Sequence, residues 1–133
     1  MSDSIYSGGC HCGLVAYEVE GPLERASVCN CSICSKKAYV HWIVPRARFR
    51  LLTRWEDLTT YTFNTSAAQH HFCPRCGVAS FYVPRSDPDK IDVNLRCVAG
   101  IDVDALTLAH FDGRNWEEAF ARREAEKTAD LSR

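Results

Sequence analysis

The chain has 133 residues, and its 16 lysines and arginines nearly balance 17 aspartates and glutamates, which leaves a net charge of −1 at pH 7. This size and balance are typical of one globular domain, so we expect residues 1–133 to form a single domain. Nucleic acids and anionic membranes are bound by clusters of uncompensated cations, and the balanced charge therefore argues against both partners.

The predicted secondary structure is mostly β. Val15, Tyr17 and Val19 alternate with less apolar residues, a pattern typical of a half-buried strand. A helical turn is predicted at residues 32–37, and residues 38–44, apolar on both faces, predict a central strand. Further strands are predicted at residues 59–63, 79–83, 91–97 and 105–111, and a short C-terminal helix at residues 114–126.

The eight cysteines are the most informative feature of the sequence. Seven of them fall into three short groups, at positions 10 and 12, at 29, 31 and 34, and at 73 and 76, and Cys97 stands alone. The N-terminus lacks an apolar signal segment and the longest apolar run is too short to cross a bilayer, so we expect a cytoplasmic protein. Thiols are kept reduced there, which disfavours a disulfide framework. Closely spaced reduced thiols favour metal binding, and zinc is the expected ion.

The first and last cysteine pairs are built alike, since each is followed directly by a glycine, Gly13 or Gly77. A glycine after the second ligand is typical of a zinc knuckle, where the backbone often needs a positive φ. Two such pairs supply four thiolates, which fill a tetrahedral site. We therefore expect a structural zinc site formed by Cys10, Cys12, Cys73 and Cys76.

The middle group, Cys29, Cys31 and Cys34, offers three thiolates within six residues. Three protein ligands with one open position are typical of catalytic zinc sites, so we favour an open site. The alternative is a second closed site, completed by a more distant side chain: Cys97, His41, His70, His71 or His110. Cys97 falls in the predicted strand at residues 91–97, where burial in the core would explain it.

The basic pair Lys36 and Lys37 follows the middle group. We expect both side chains to cover the end of the helical turn in solvent rather than to bind a substrate carboxylate.

The segments GGCHCG, CNCSIC followed by that basic pair, and HFCPRCG together resemble the Gfa-like family of glutathione-dependent formaldehyde-activating proteins, over about residues 8–116. The resemblance implies the β-tent fold of coiled antiparallel sheets organised around zinc. It implies two zinc ions per chain, a structural one on Cys10, Cys12, Cys73 and Cys76 and a catalytic one on Cys29, Cys31 and Cys34.

The activity that this resemblance implies is that of a carbon–sulfur lyase, the reversible addition of a small thiol, glutathione, to formaldehyde or a related aldehyde. Its product would be S-hydroxymethylglutathione.

Two other functions remain open from the sequence. One is a non-catalytic zinc module that binds a protein partner, which would show a filled second site or an exposed apolar patch without a pocket. The other is methionine sulfoxide reduction, which needs a reactive Cys97.

Overall fold

The computed structural model describes residues 4–131 of the chain, with side chains described as far as Lys127. Its strands are β1 (Ile5–Gly9), β2 (Ala16–Glu20), β3 (Ala26–Cys29), β4 (His41–Pro45), β5 (Phe49–Leu51), β6 (Thr59–Tyr61), β7 (His70–Phe72), β8 (Phe81–Tyr82), β9 (Lys90–Asn94) and β10 (Leu108–Phe111). Its α-helices are α1 (Cys34–Lys37) and α2 (Trp116–Leu131). The mainly β fold with a C-terminal helix is confirmed.

The strands of the described chain form three sheets. A three-stranded sheet has the order β1-β2-β5, a five-stranded sheet the order β10-β3-β4-β9-β8, and β6 pairs with β7. All pairings are antiparallel except that β10 runs parallel to β3. The expectation of purely antiparallel sheets is therefore wrong at this edge. The chain segment between β3 and β10 is long enough for the crossover that parallel pairing requires.

The core lies between the three-stranded and five-stranded sheets. On β2, Tyr17 and Val19 are buried while Glu20 is exposed, as the alternating pattern predicts. The Tyr17 hydroxyl donates a hydrogen bond to the backbone oxygen of Ser80 at 2.9 Å, which satisfies its polar end inside the core. A Cβ on Gly8 would lie 2.6 Å from the Tyr17 ring, so this close packing of β1 on the core requires glycine.

The predicted central strand is confirmed, since β4 lies between β3 and β9 in the five-stranded sheet. It begins later than predicted because Ala38 ends α1 in the left-handed region, with a φ of 52°. The predicted strand at residues 91–97 is wrong at its C-terminal end. β9 stops at Asn94, whose side chain accepts a hydrogen bond from the backbone N–H of Arg96 and starts a 3-10 turn at Leu95–Cys97.

Candidate metal centres and cleft

The first and last cysteine pairs meet in space. Cys10 and Cys12 follow β1, Cys73 and Cys76 follow β7, and the four sulfurs all lie within 4.8 Å of one another. Cys73 is fully buried, so one side of this cluster is closed by the core. Gly13 and Gly77, with φ of 88° and 79°, have the positive φ that the sequence predicts at both turns.

The spacing of these sulfurs suits a tetrahedral ion. Four sulfurs at about 2.3 Å from a zinc ion lie roughly 3.8 Å apart. The Cys10 and Cys12 sulfurs are separated by 3.7 Å, and those of Cys12 and Cys73 by 3.6 Å. The backbone N–H groups of Val15 and Cys76 donate to Cys10 Sγ and Cys73 Sγ, at 3.2 and 3.4 Å. Such donors stabilise thiolates, so this cluster could hold a metal ion.

The middle group forms a second cluster. Cys29 is the last residue of β3 and Cys34 the first of α1, with Cys31 in the connecting turn, and the three sulfurs lie within 4.8 Å of one another. The backbone N–H of Cys34 donates to Cys31 Sγ at 3.3 Å. The side chains of Cys29 and Cys34 also stabilise the Cys31 thiolate and lower the pKa of Cys31 far below its ordinary value. This cluster too could hold a metal ion.

The segment between β10 and α2 covers one side of the three-cysteine cluster. The Asn30 side chain donates to Asp112 Oδ1 at 2.8 Å and accepts from the backbone N–H of Arg114 at 3.1 Å. A Cβ on Gly113 would lie 2.5 Å from Cys29 Sγ and 2.8 Å from Cys31 Cβ. Gly113 is therefore required for this close approach, and nothing in the local sequence pattern indicates it.

The two clusters differ in their access to a cleft of about 690 Å³. All three cysteines of the middle group line this cleft, whereas none of the four cysteines of the other cluster is among its lining residues. Helix α2 forms part of its wall through Trp116 and Ala119. The three-cysteine cluster is therefore the one that a small molecule in the cleft can reach.

A buried histidine–aspartate pair also lines the cleft. His41 Nδ1 and Asp92 Oδ2 are 2.6 Å apart, and the two residues are only 5% and 1% exposed. Burial raises the pKa of Asp92 above its ordinary value, although its contact with His41 favours the ionised form. The second polar atom of each side chain, His41 Nε2 and Asp92 Oδ1, has no hydrogen-bond partner in the described structure.

Lys37 does not extend into solvent as expected. Its Nζ lies 3.3 Å from His70 Nδ1 and 5.7 Å from the centre of the Tyr82 ring, and burial lowers the pKa of this lysine. Burial, together with the Lys37 charge, lowers the pKa of His70 to about 4. His70 is therefore neutral near pH 7 and can accept a hydrogen bond from the ammonium group. Lys36 is exposed, as expected.

The structure places the histidines and Cys97, which the sequence leaves open as further ligands of the middle group, in different parts of the fold. His41, His70 and His110 line the cleft. His71 lies instead in the β6–β7 sheet, where its Nδ1 is 2.8 Å from Thr60 Oγ1. Cys97 belongs to neither sulfur cluster, and burial raises its pKa to about 11, which is unfavourable for a reactive thiol.

The fold and these clusters define a β-rich protein with two cysteine sites that could hold metal ions. Residues 5–109 match the sequence model of the family described as glutathione-dependent formaldehyde-activating enzyme, and the chain belongs to this family. The structure is similar to the crystal structure of a Rhodobacter sphaeroides protein, with a TM-score of 0.70 and 31% sequence identity. That match covers 77% of this chain and 97% of the other.

Within residues 4–131, neither helix has the length and apolar composition that a membrane span requires.

Proposed function

We propose that the protein is a zinc-dependent carbon–sulfur lyase that adds a small thiol, glutathione, to formaldehyde or a related aldehyde, giving S-hydroxymethylglutathione. The observation that carries this proposal is the contrast between the clusters, because only the three cysteines of the middle group line the cleft. Family membership supports the same reaction. The proposal treats residues 1–133 as one zinc-binding domain that acts in the cytoplasm.

In this proposal the two clusters have different roles. Cys10, Cys12, Cys73 and Cys76 hold a structural zinc ion, since four sulfurs complete its tetrahedral shell. Cys29, Cys31 and Cys34 hold the catalytic one and leave one position for a substrate atom. A zinc ion bound there supplies Lewis acidity toward an aldehyde oxygen and lowers the pKa of a bound thiol.

The protein's own residues bind and confine the substrates. Gly113 and the Asn30 contacts set the space beside the sulfurs, and α2 forms part of the cleft wall. Arg25, Arg114 and Arg122 also line the cleft, where they supply positive charge for an anionic thiol such as glutathione.

The structure also bears on the two alternative functions, a non-catalytic zinc module and methionine sulfoxide reduction. A non-catalytic module would be supported by an exposed apolar patch without a pocket near the middle group, and a cleft lies there instead. Methionine sulfoxide reduction needs a reactive Cys97, and the raised pKa of this thiol disfavours it. The lyase function is therefore the one that we retain.

The test is to compare wild type with Cys31→Ser, using glutathione and formaldehyde as substrates and Cys97→Ser as the matched control. We expect Cys31→Ser to keep the fold but lose turnover and the zinc of the middle group, because it removes one of three ligands. Cys97→Ser should keep both. Unchanged turnover in Cys31→Ser would contradict the proposed role of the middle group, and absence of turnover in the wild type would contradict the proposed reaction.

A further inference from the structure

The His41–Asp92 pair lies in the middle of the five-stranded sheet, on the strands β4 and β9. A buried pair of this kind is a costly way to stabilise a core, because apolar residues of similar volume often do as well or better. The pair also leaves two buried polar atoms, His41 Nε2 and Asp92 Oδ1, without partners in the described structure. Buried unpaired polar atoms are uncommon, and a catalytic role is one of the explanations for them.

The strand register places His41 beside the three-cysteine cluster. Ser27 on β3 is paired with His41 on β4, and Cys29 is two residues further along β3. Side chains two residues apart on a strand point to the same face. His41 and Cys29 are therefore diagonal neighbours, and residues in this relation are roughly 7–8 Å apart. Both residues line the cleft, together with Asp92.

The surroundings of His41 hold its ring in one orientation. Asp92 faces Nδ1, and the rings of Tyr39 and Tyr82 lie 4.6 and 6.0 Å from the imidazole ring. The Tyr39 hydroxyl donates a hydrogen bond to the backbone oxygen of Asp92 at 2.6 Å. This bond also holds the backbone of β9, the strand that carries Asp92. In a neutral imidazole, a hydrogen on Nδ1 that is donated to the carboxylate leaves a free lone pair on Nε2. Nε2 of His41 can therefore accept a proton.

We infer that His41, oriented by Asp92, transfers the proton in the addition reaction, an inference that rests on the proposed function. When a thiol adds to an aldehyde, a carbon–sulfur bond forms and the π electron pair of the carbonyl moves to oxygen. The thiol loses one proton and the oxygen gains one. His41 Nε2 accepts the proton from sulfur through one water molecule and returns it to oxygen in the same way, so the reaction balances without another reactant.

The experiment compares zinc-loaded wild type, His41→Gln and Asp92→Asn, with His71→Gln as the matched control. His71 is also buried and its Nε2 also lacks a partner in the described structure, but it does not line the cleft. We expect His41→Gln to lower kcat by roughly 100-fold or more, as loss of a general acid–base residue does, with KM and zinc content unchanged. His71→Gln should retain the wild-type kcat.

A second measurement does not depend on turnover. Nitrogen NMR of the wild-type histidine rings should show that the neutral form of His41 carries its hydrogen on Nδ1 and none on Nε2. Asp92→Asn should change these His41 signals and lower kcat, because Asp92 is a positioning residue. This comparison remains decisive if His41→Gln does not fold.

The outcomes separate the two proposals. An active wild type with an equally active, folded His41→Gln variant would overturn this inference alone, as would a wild-type His41 protonated only on Nε2. A zinc-loaded wild type without turnover would overturn the proposed function and this inference with it.

Discussion

Gly113 limits the space beside the three-cysteine cluster. A Cβ at this position would meet Cys29 Sγ and Cys31 Cβ at 2.5 and 2.8 Å, both closer than real Cβ contacts. We expect Gly113→Ala to displace these ligands and weaken metal binding at the middle group by roughly 10–100-fold, as changes next to metal ligands do. The measurement is zinc affinity by competition with a chelator.

Gly100→Ala is the control for this substitution. Gly100 has a positive φ of 81°, but a Cβ there would meet nothing within 4 Å. This variant should lose some stability through backbone strain and keep the wild-type zinc affinity. Equal zinc affinity in Gly113→Ala and wild type would show that the cluster tolerates the added methyl group.

His70 makes the stability depend on pH. Its folded pKa is about 4, lowered by burial and by Lys37, compared with an ordinary value of 6.5. The unfolded chain therefore binds more protons than the folded chain between these values, and stability falls as pH is lowered from 6.5 toward 4. His70→Phe keeps an aromatic ring between Phe63 and Tyr82 and should reduce this loss by about 2 kcal/mol.

The check is urea unfolding of both proteins at several pH values between 7 and 4, with exposed His110→Gln as the control. His110→Gln should follow the wild-type curve. Parallel curves for wild type and His70→Phe would mean that His70 accepts a proton as readily in the folded chain as in the unfolded one.

The sequence predicts which cysteines group together, because the spacing that groups them is mostly local, and the structure brings both groups together. Cys29, Cys31 and Cys34 lie within six residues, and the glycines after the outer pairs mark their turns. The pairing of His41 with Asp92, and of Gly113 with Cys29, joins residues far apart in the chain. Periodicity carries no information about such pairs, so they could not be predicted.

At the scale of secondary-structure elements, α2 is anchored to the rest of the fold by an ion pair. Arg123 Nη1 lies 2.9 Å from Asp87 Oδ2, and the two side chains are 14% and 11% exposed. Although burial opposes it, hydrogen bonds from Ser86 and Arg123 hold the pKa of Asp87 below its ordinary value. This stabilisation is therefore present above pH 3.8 and is lost as pH falls through the lower folded pKa.

We expect Arg123→Met to reduce the free energy of unfolding by about 2 kcal/mol at pH 7, because Asp87 loses a charged hydrogen-bond partner. Arg122→Met, at the exposed neighbouring position, should change it by less than about 0.5 kcal/mol. Urea unfolding measures both. Equal stability of the two variants would show that the Asp87 contact does not anchor α2.

The elements themselves differ in how well their sequences predict them. β2 and β4 have strong apolar patterns and both form strands, although β4 begins later than predicted. The sequences of β1 and β7 do not predict strands, since β1 ends in two glycines and β7 begins with two histidines. Both histidines of β7 are buried. Tertiary contacts, rather than local propensity, determine these strands.

At the scale of the whole molecule, the fold brings four separate segments of the chain to the cleft. β3 and the turn after it supply the cysteines, β4 and β9 supply His41 and Asp92, and the chain from β10 to α2 forms a wall. The parallel pairing of β10 with β3 brings that wall next to Cys29, since Phe111 is the register partner of Cys29. Helix α2 begins at Trp116, beyond the residues that match the family.

We propose that the two cysteine clusters form two metal sites of different kinds, one closed and one open. This is tested by the zinc content per chain of freshly purified protein, measured again after a weak chelator and after zinc is added back. We expect two zinc ions, of which the chelator removes one and added zinc restores it. A single zinc ion that no addition raises to two would contradict a metal site at Cys29, Cys31 and Cys34.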